Sequence, residues 1–151
     1  MTKGKQYHYT MSGLDWVYLE GGYTIHETPY GTGVAIQDAE GLHEAISMEI
    51  VTQPHPIRGQ ELRFLRSFLD VSQDGMGKIV GLSRVQIARL EGERNKAITS
   101  SADRALRLFF GLRAMKKDLA DRIIEVLTEI DRQEHEPASF KETDFGWAKA
   151  A

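Results

Sequence analysis

The sequence predicts an α+β fold, in which a small N-terminal antiparallel β-meander plus one helix is followed by an all-α part of five helices. Residues 7–38 are rich in aromatic and β-branched side chains and are broken by glycines, which is typical of short strands. From about residue 40 onward, apolar residues recur at helical spacing. Pro54 and Pro56 disfavour helix around them, so they separate the first helix from the other five.

Short strands are predicted from four runs: Tyr7–Met11, Trp16–Leu19, Tyr23–His26 and Val34–Ile36. Gly21 and Gly22, between the second and third runs, predict a tight hairpin turn. So small a meander leaves an edge exposed, and a second copy of the chain or another protein could cover it. We therefore assign residues 1–57 to an N-terminal α/β extension that serves as a dimerisation or partner region.

The helix before the prolines is expected at about residues 40–52, and the later ones at 59–69, 73–80, 84–91, 100–112 and 115–134. Ser72 and Ser83 are suitable N-caps for the helices that they precede. The last helix carries apolar residues at steps of four, three and four, which core packing or a short coiled coil would explain. The all-α part is thus 58–136, and 137–151 is predicted to be a flexible tail.

Residues 73–92 have the spacing of two helices joined by a tight turn. Gly77 lies where the helices must nearly touch, Gly81 falls at the turn, and Ile87 follows six residues later on the side of a shared core. Glycine in a helix costs roughly 1 kcal/mol relative to alanine, so it is retained where a close approach or a positive φ requires it. This two-helix geometry is one that places the second helix in the DNA major groove.

The charge of the chain is unevenly distributed, although the net value is only −3. Residues 58–117 carry 13 Lys and Arg against 6 Asp and Glu, a balance of +7. Residues 1–57 carry 2 against 7 and residues 118–151 carry 4 against 9, so each flank has a balance of −5. A basic surface that coincides with the two-helix motif is what phosphate contact requires, whereas an ordinary solvated surface is the alternative explanation.

The second helix of the motif is predicted to contact DNA bases. Arginine pairs with guanine, glutamine pairs with adenine, and valine can touch a thymine methyl group. If Ser83 caps this helix, the side chains that face the bases are Arg84, Val85, Gln86 and Arg89. Phosphate contacts are predicted at the helix N-termini and just after the second helix, from Ser72, Gln73, Ser83, Arg94, Asn95 and Lys96.

Several other classes of function are disfavoured. The chain has no cysteine, which excludes disulfides and cysteine-ligated metals. No apolar run approaches the roughly 18 residues that a membrane span needs, and the start lacks a signal-peptide core, so we expect a cytoplasmic protein without a membrane partner. We predict no metal, no cofactor and no enzymatic activity, because no metal-ligand spacing or nucleophile–base pair involves His8, His26, His43 or His55.

The stretch 73–92 resembles the Xre-like, lambda-repressor-like helix-turn-helix domains. The runs Gly59–Arg66, Gln86–Glu91 and Ala102–Arg107 are similar to those of the MqsA-type antitoxin regulators, and the resemblance covers about residues 7–112. It implies that residues 58–136 form a five-helix, lambda-repressor-like DNA-binding domain with a C-terminal helix. Unlike MqsA itself, the chain has no cysteine to ligate zinc in its N-terminal part.

Two functions follow from these observations. The first is a sequence-specific transcriptional regulator of antitoxin type: a homodimeric repressor of its own operon that binds an inverted repeat in double-stranded DNA. The resemblance further implies a cognate toxin as a partner. The alternative is a protein-interaction module, an antitoxin or antiactivator, that sequesters a toxin or regulator and for which DNA binding is secondary. The acidic flanks and the exposed strand edge favour that alternative.

Overall fold

The computed structural model describes residues 6–129 and 136–150. These residues form six α-helices, one before the prolines and five after them, and three antiparallel strand pairs, which confirms the α+β class. In the described part of the chain, no helix combines the length and apolar character needed to cross a membrane. The elements are β1 Tyr7–His8, β2 Tyr18–Leu19, β3 Tyr23–Thr28, β4 Gly31–Ile36, α1 Ala39–Thr52, α2 Gly59–Leu69, α3 Gln73–Val80, α4 Arg84–Gly92, α5 Ser100–Met115, α6 Lys117–Glu129, β5 Phe140–Thr143 and β6 Gly146–Lys149.

The N-terminal strands form two separate pairs, so the predicted meander and the predicted hairpin turn at Gly21 and Gly22 are both wrong. β1 pairs with β2, and β3 pairs with β4, without a ladder between the two sheets in the described residues. Val17 and Leu19 are buried beside β1, whereas β3 is exposed along nearly its whole length. Gly22, at φ +72°, lets the chain bend away after β2, so the exposed hairpin leaves the buried pair.

The turn between β3 and β4 is closed by its own residues. The Thr28 hydroxyl donates to the Gly31 carbonyl at 2.7 Å and accepts from the Tyr30 N–H at 3.3 Å. Gly31 has φ +125°, and the Tyr30 side chain at the tip is 99% exposed. These hydrogen bonds explain why the hairpin forms at Pro29 and Tyr30 rather than at the earlier glycine pair.

A second hairpin, β5–β6, lies where the sequence analysis assigned only a tail. Its turn repeats the first one: the Thr143 hydroxyl donates to the Gly146 carbonyl at 2.7 Å and accepts from the Phe145 N–H at 3.2 Å. The two turns share the sequence Glu-Thr-x-aromatic-Gly, at residues 27–31 and 142–146. That repetition is the signal from which the hairpin could have been predicted.

The helices close around one hydrophobic core. α1 packs against α2 and α5, α3 packs against α4, α5 and α6, and α2 packs against α4. α4 and α5 extend to residues 92 and 115, slightly beyond their predicted ends, while the predicted end of the last helix at 134 lies outside the described residues. The largest fully buried apolar side chains come from both sides of the prolines: Leu14, Ile57, Leu62, Leu65, Met76, Ile87, Leu106 and Phe110.

The proline-rich linker is fixed to α5 by two charged side chains. Asp103 accepts a hydrogen bond from the Ile57 backbone N–H at 2.8 Å and forms an ion pair with Arg107 at 2.6 Å. Arg107 also donates to the backbone carbonyls of Val51, Gln53 and His55. The linker is therefore a fixed spacer that holds α1 beside the other helices.

Candidate nucleic-acid interface

The joint between α3 and α4 depends on two glycines, as their spacing predicts. A Cβ at Gly77 would collide with the Leu82 backbone carbonyl, so α3 approaches the start of the next helix more closely than any larger residue allows. Gly81 has φ +77° and donates its N–H to the Gly77 carbonyl at 2.8 Å, which ends α3 in the left-handed conformation. The angle between the two helices is thus set by residues without side chains.

The start of α4 is fixed by a capping box. The Ser83 hydroxyl accepts from the Gln86 N–H at 3.1 Å, and the Gln86 side-chain carbonyl accepts from the Ser83 N–H at 2.8 Å. The amide nitrogen of the Gln86 side chain has no hydrogen-bond partner in the described part of the chain, so it can donate to a ligand. The structure therefore places Gln86 on the exposed first turn, as predicted. Its side-chain carbonyl is already used in the capping box.

The two faces of α4 differ sharply in burial. Ile87 is fully buried and Leu90 is 8% exposed, and both pack into the helical core. On the other side Arg84 and Arg89 are exposed, and Val85 is 70% exposed. Because the buried residues fix the rotation of the helix about its axis, the exposed ones form one outward face.

A buried ion pair holds the end of α4. The guanidinium of Arg66 on α2 donates to both carboxylate oxygens of Glu91, at 2.8 and 3.0 Å, and also to the Val71 carbonyl at 3.2 Å. Glu91 is only 7% exposed. This bidentate pair joins α2, the start of α3 and α4, and the sequence analysis missed it because the partners are 25 residues apart.

Arg84 and Arg89 form no ion pair with any described residue, in contrast to three other arginines of this part of the chain. Arg58, Arg66 and Arg107 each pair with a carboxylate inside the protein. Their partners Glu61, Glu91 and Asp103 lie within residues 58–117, so the +7 balance of that segment already allows for these pairs. The unpaired charge on α4 is displayed to the outside, where a phosphate or a base can meet it.

The predicted phosphate contacts at the helix N-termini are geometrically open. Ser72 caps α3 by accepting from the Gly75 N–H at 3.0 Å, and Ser83 caps α4 in the same way. Each hydroxyl uses an acceptor position in the cap, so its own hydrogen stays free to donate to an anion. Gln73, the first residue of α3, is half-buried beside them.

The segment after α4 is tied to other elements. Arg94 donates to the Gly13 carbonyl at 2.7 Å, and the side-chain carbonyl of Asn95 accepts from the buried Gln60 side chain at 3.0 Å. Lys96 is highly exposed and forms a loose 3.7 Å pair with Glu93. All three predicted phosphate-contacting side chains lie on the surface after α4, with Arg94 and Asn95 held in place.

Gly59 is a structural residue that the sequence analysis did not single out. A Cβ there would collide with the Leu90 carbonyl and come close to that of Glu93, so the start of α2 packs directly on the end of α4. Backbone hydrogen bonds from Gly59 to Lys96 at 3.2 Å and from Gln60 to Arg94 at 3.1 Å complete this junction. The role of Gly59 could have been suspected from the sequence, because it is a glycine at the first position of a helix that follows a proline-containing linker.

Comparison with known proteins identifies no relative. No family model matches the chain, and neither the curated proteins nor the solved structures give a match. Any assignment of function therefore depends on the residues of the chain and the geometry of the interface around α4.

Proposed function

We propose that the chain is a sequence-specific double-stranded DNA-binding transcriptional regulator, in which α3 and α4 act as an Xre-like helix-turn-helix and α4 enters the major groove. One observation carries this proposal. Arg84 and Arg89 lie on the exposed face of α4 and form no ion pair with any described residue, and the rotation of that helix is fixed from behind by Ile87 and Leu90. A rigid helix with outward arginines suits direct readout of base edges.

The exposed side chains differ in what they can recognise. Arg84 and Arg89 can donate two hydrogen bonds each to the O6 and N7 atoms of guanine, and Val85 can contact a thymine methyl group. Gln86 uses its carbonyl oxygen in the capping box, so it donates a single hydrogen bond to a base acceptor as long as the cap is intact. The two arginines therefore account for most of the specificity.

Phosphate contacts would position α4 on the duplex. The hydroxyls of Ser72 and Ser83, the first-turn amide of Gln73, and the side chains of Arg94, Asn95 and Lys96 border α3 and α4. Helix N-termini favour anions because their free N–H groups and the helix dipole carry partial positive charge. Such contacts set the register and the affinity rather than the sequence preference.

We further propose that the regulator is a homodimeric repressor of its own promoter. A two-fold dimer would bind an inverted repeat with half-sites about one helical turn apart. Exposed large apolar side chains support a dimer contact through α5 and α6: Leu108 at 76%, Met115 at 84%, Leu119 at 42% and Val126 at 55% exposure. These side chains lie on two helices that pack against each other, and exposed apolar residues of this kind are candidates for an interface between chains.

The proposal is tested by selecting bound sequences from a random duplex pool and titrating the selected site by fluorescence anisotropy. Arg84→Ala and Arg89→Ala should each weaken binding by roughly 10- to 100-fold and relax preference at one base position. Lys96→Ala should weaken selected and random duplexes alike. Lys141→Ala removes the same charge from the exposed strand β5 and is the matched control, with affinity unchanged.

Two results would contradict the proposal. One is a pool that shows no enriched sequence, together with an affinity for DNA that does not fall as the salt concentration rises. Phosphate contact releases counterions, so binding through phosphates must weaken with salt. The other is a loss of affinity in Lys141→Ala equal to that in Arg84→Ala, which would mean that general charge and not the α4 face drives binding.

A protein-interaction module is the second candidate, and the β3–β4 hairpin favours it. β3 is exposed along nearly its whole length and β4 along half of it, and each pairs only with the other among the described residues. An open edge can accept a strand from another protein, such as a toxin. Co-expression with the products of neighbouring genes, with and without residues 23–36, tests it: a stable complex that forms only with the hairpin present supports this function.

A further inference from the structure

A cavity of about 680 Å³ lies beside the linker, where the end of α1, the start of α2 and the segment after α4 meet. Its apolar lining includes Trp16, Ile50 and Pro56. Three carboxylates, from Asp15, Glu49 and Glu61, also line the space. An apolar wall with a few convergent polar groups is the usual composition of a small-molecule site, and the volume falls in the range of such sites.

Glu61 gives the cavity a specific chemical demand. The residue is 6% exposed, and its Oε1 accepts a hydrogen bond from the Arg58 guanidinium at 2.9 Å. Its Oε2 is buried and has no hydrogen-bond partner among the described residues. A buried carboxylate oxygen without a donor is unfavourable, so the site favours a ligand that donates to it.

The charge around the cavity favours a cation. Arg58 is the single arginine or lysine in the lining, and it lies between Glu61 and Asp15, at 2.9 and 3.8 Å. Three carboxylates against one guanidinium leave an excess of negative charge. Among the described residues, no three acidic or histidine side chains converge closely enough to hold a metal ion, which points to an organic cation.

We propose that this cavity binds a small organic amine, with its ammonium group at Oε2 of Glu61 and its apolar body against Trp16 and Ile50. In this structure Oε2 exposes less than 1 Å² of surface, so the Glu61 carboxylate must turn toward the cavity to receive the ammonium. The ammonium then supplies the donor that this oxygen lacks, and the charge-assisted hydrogen bond is strong in a partly enclosed site. Asp15 and Glu49 add attraction from the rim. The Trp16 indole offers both an apolar surface and a favourable face for a cation.

The position of the cavity also suggests what the amine does. Asn95 and Ala97, which follow α4, line the same space, and Asn95 is hydrogen-bonded to Gln60 of α2. If the proposed function is correct, an amine that contacts this segment changes the placing of the predicted phosphate contacts Arg94 to Lys96. The amine would then act as an effector that alters affinity for DNA.

Binding is tested without DNA by tryptophan fluorescence. The chain has two tryptophans, and Trp147→Phe leaves Trp16 in the cavity wall as the single reporter. Phenethylammonium should change the Trp16 emission saturably, with a Kd of about 1 mM or tighter. The uncharged analogue 2-phenylethanol has nearly the same shape and should bind roughly tenfold more weakly or worse, because its hydroxyl carries no positive charge to pair with the carboxylates.

Variants of the carboxylates locate the ammonium. In the Trp147→Phe chain, Glu61→Gln keeps an acceptor for Arg58 and should weaken phenethylammonium by roughly tenfold or more. Glu49→Gln, at the exposed rim, should weaken it by a smaller factor. Glu27→Gln makes the same change on exposed β3 and should leave the Kd unaltered. Circular dichroism verifies that each variant is folded.

Several outcomes would overturn the amine site: no saturable change up to about 10 mM, equal affinity for the amine and the alcohol, or an unchanged Kd in folded Glu61→Gln. If Glu61→Gln fails to fold, the amine site is still tested by the ratio of the Kd values for phenethylammonium and 2-phenylethanol and by the Kd of Glu49→Gln. The DNA titration, repeated with saturating phenethylammonium, tests the effector role separately. The lack of a fluorescence response rejects the amine site. The lack of a selected DNA sequence rejects only the proposed DNA-binding function.

Discussion

The α3–α4 pair and the two β-hairpins are both built around tight turns, but they are stabilised at different distances along the chain. The helix pair depends on Gly59 and Arg66 of α2, which contact the far end of α4. Each hairpin is closed by a threonine and a glycine three residues apart. Substitutions in the helix pair should therefore affect unfolding of the whole core, whereas changes in a hairpin should remain local.

Removing the buried ion pair should have the largest effect on stability. Glu91→Ala leaves the Arg66 guanidinium, which is 20% exposed in its side chain, without its bidentate partner. We expect a loss of about 3 kcal/mol in the free energy of unfolding, measured by urea denaturation. Glu93→Ala, two residues later, removes only the loose surface pair with Lys96 and should cost less than about 0.5 kcal/mol.

A loss below about 1 kcal/mol in Glu91→Ala would show that water replaces the carboxylate easily at this site. The contrast between Glu91 and Glu93 would then fail, and with it the claim that the end of α4 is anchored by α2. The same variant should also weaken DNA binding if the proposed function holds, because the helix would lose a fixed orientation.

Identical substitutions at two helical glycines should have opposite signs. Gly77→Ala places a Cβ against the Leu82 backbone carbonyl, which cannot move without shifting the chain between α3 and α4. We therefore expect destabilisation by about 2 kcal/mol. Gly111→Ala, in α5, places a Cβ in open space and should stabilise by about 1 kcal/mol, because alanine is the better helix former. Thermal and urea unfolding of both variants check the signs. Two stabilised variants would mean that the α3–α4 contact is looser than the structure shows.

The helices could be predicted because their signals are local. Apolar spacing and the caps Ser72 and Ser83 placed the start of α3 and α4 at the observed residues, and the glycines at 77 and 81 indicated the joint between them. The outward face of α4 followed from the same periodicity, since Ile87 and Leu90 are buried as expected. For these elements, the interactions that set the structure lie within one or two turns of chain.

Strand pairing and buried polar contacts could not be predicted in the same way. The strand-forming runs did not show which strand pairs with which, and the burial of Leu14 and Val17 decided that β1–β2 packs on the helices. Arg66 and Glu91 are joined across 25 residues, and the Asp103 and Arg107 contacts to the linker span about 50. A periodic pattern cannot indicate such partners, because it shows which face is polar but not what meets it.

The linker clamp should give a smaller, pH-dependent effect. Burial alone would raise the pKa of Asp103, but hydrogen bonds from Arg107 and the Ile57 N–H, together with the charges of Arg107 and Arg104, hold that pKa below its ordinary value of 3.8. Asp103→Asn should therefore cost about 1–2 kcal/mol near neutral pH, where the carboxylate is charged. Its stabilising contribution is present above the unfolded-state pKa and is lost as pH falls through the folded one.

Urea denaturation of both chains at about pH 7 and about pH 3 measures this difference. The gap between wild type and Asp103→Asn should narrow at the lower pH, because the carboxyl of the unfolded chain is protonated first and the folded one follows as pH falls through its lowered pKa. A gap that stays constant or widens would mean that Asp103 acts through shape rather than charge. Asp118→Asn, on the exposed start of α6, is the matched control and should show little difference at either pH.

The smallest effect on global stability is expected at the tip of the C-terminal hairpin, and it gives the most direct comparison of the two regions. Gly81 and Gly146 both have positive φ, +77° and +105°, so alanine is strained at either position. Gly81→Ala should lower the free energy of unfolding of the core by about 1–2 kcal/mol, because α3 and α4 cannot separate without exposing Met76 and Ile87. Gly146→Ala should change it by less than about 0.5 kcal/mol. Its strain should instead open β5–β6, seen as loss of amide protection at 140–149 in hydrogen exchange. Equal losses of global stability in the two variants would show that the hairpin unfolds together with the core, and that its turn is not an independent local structure.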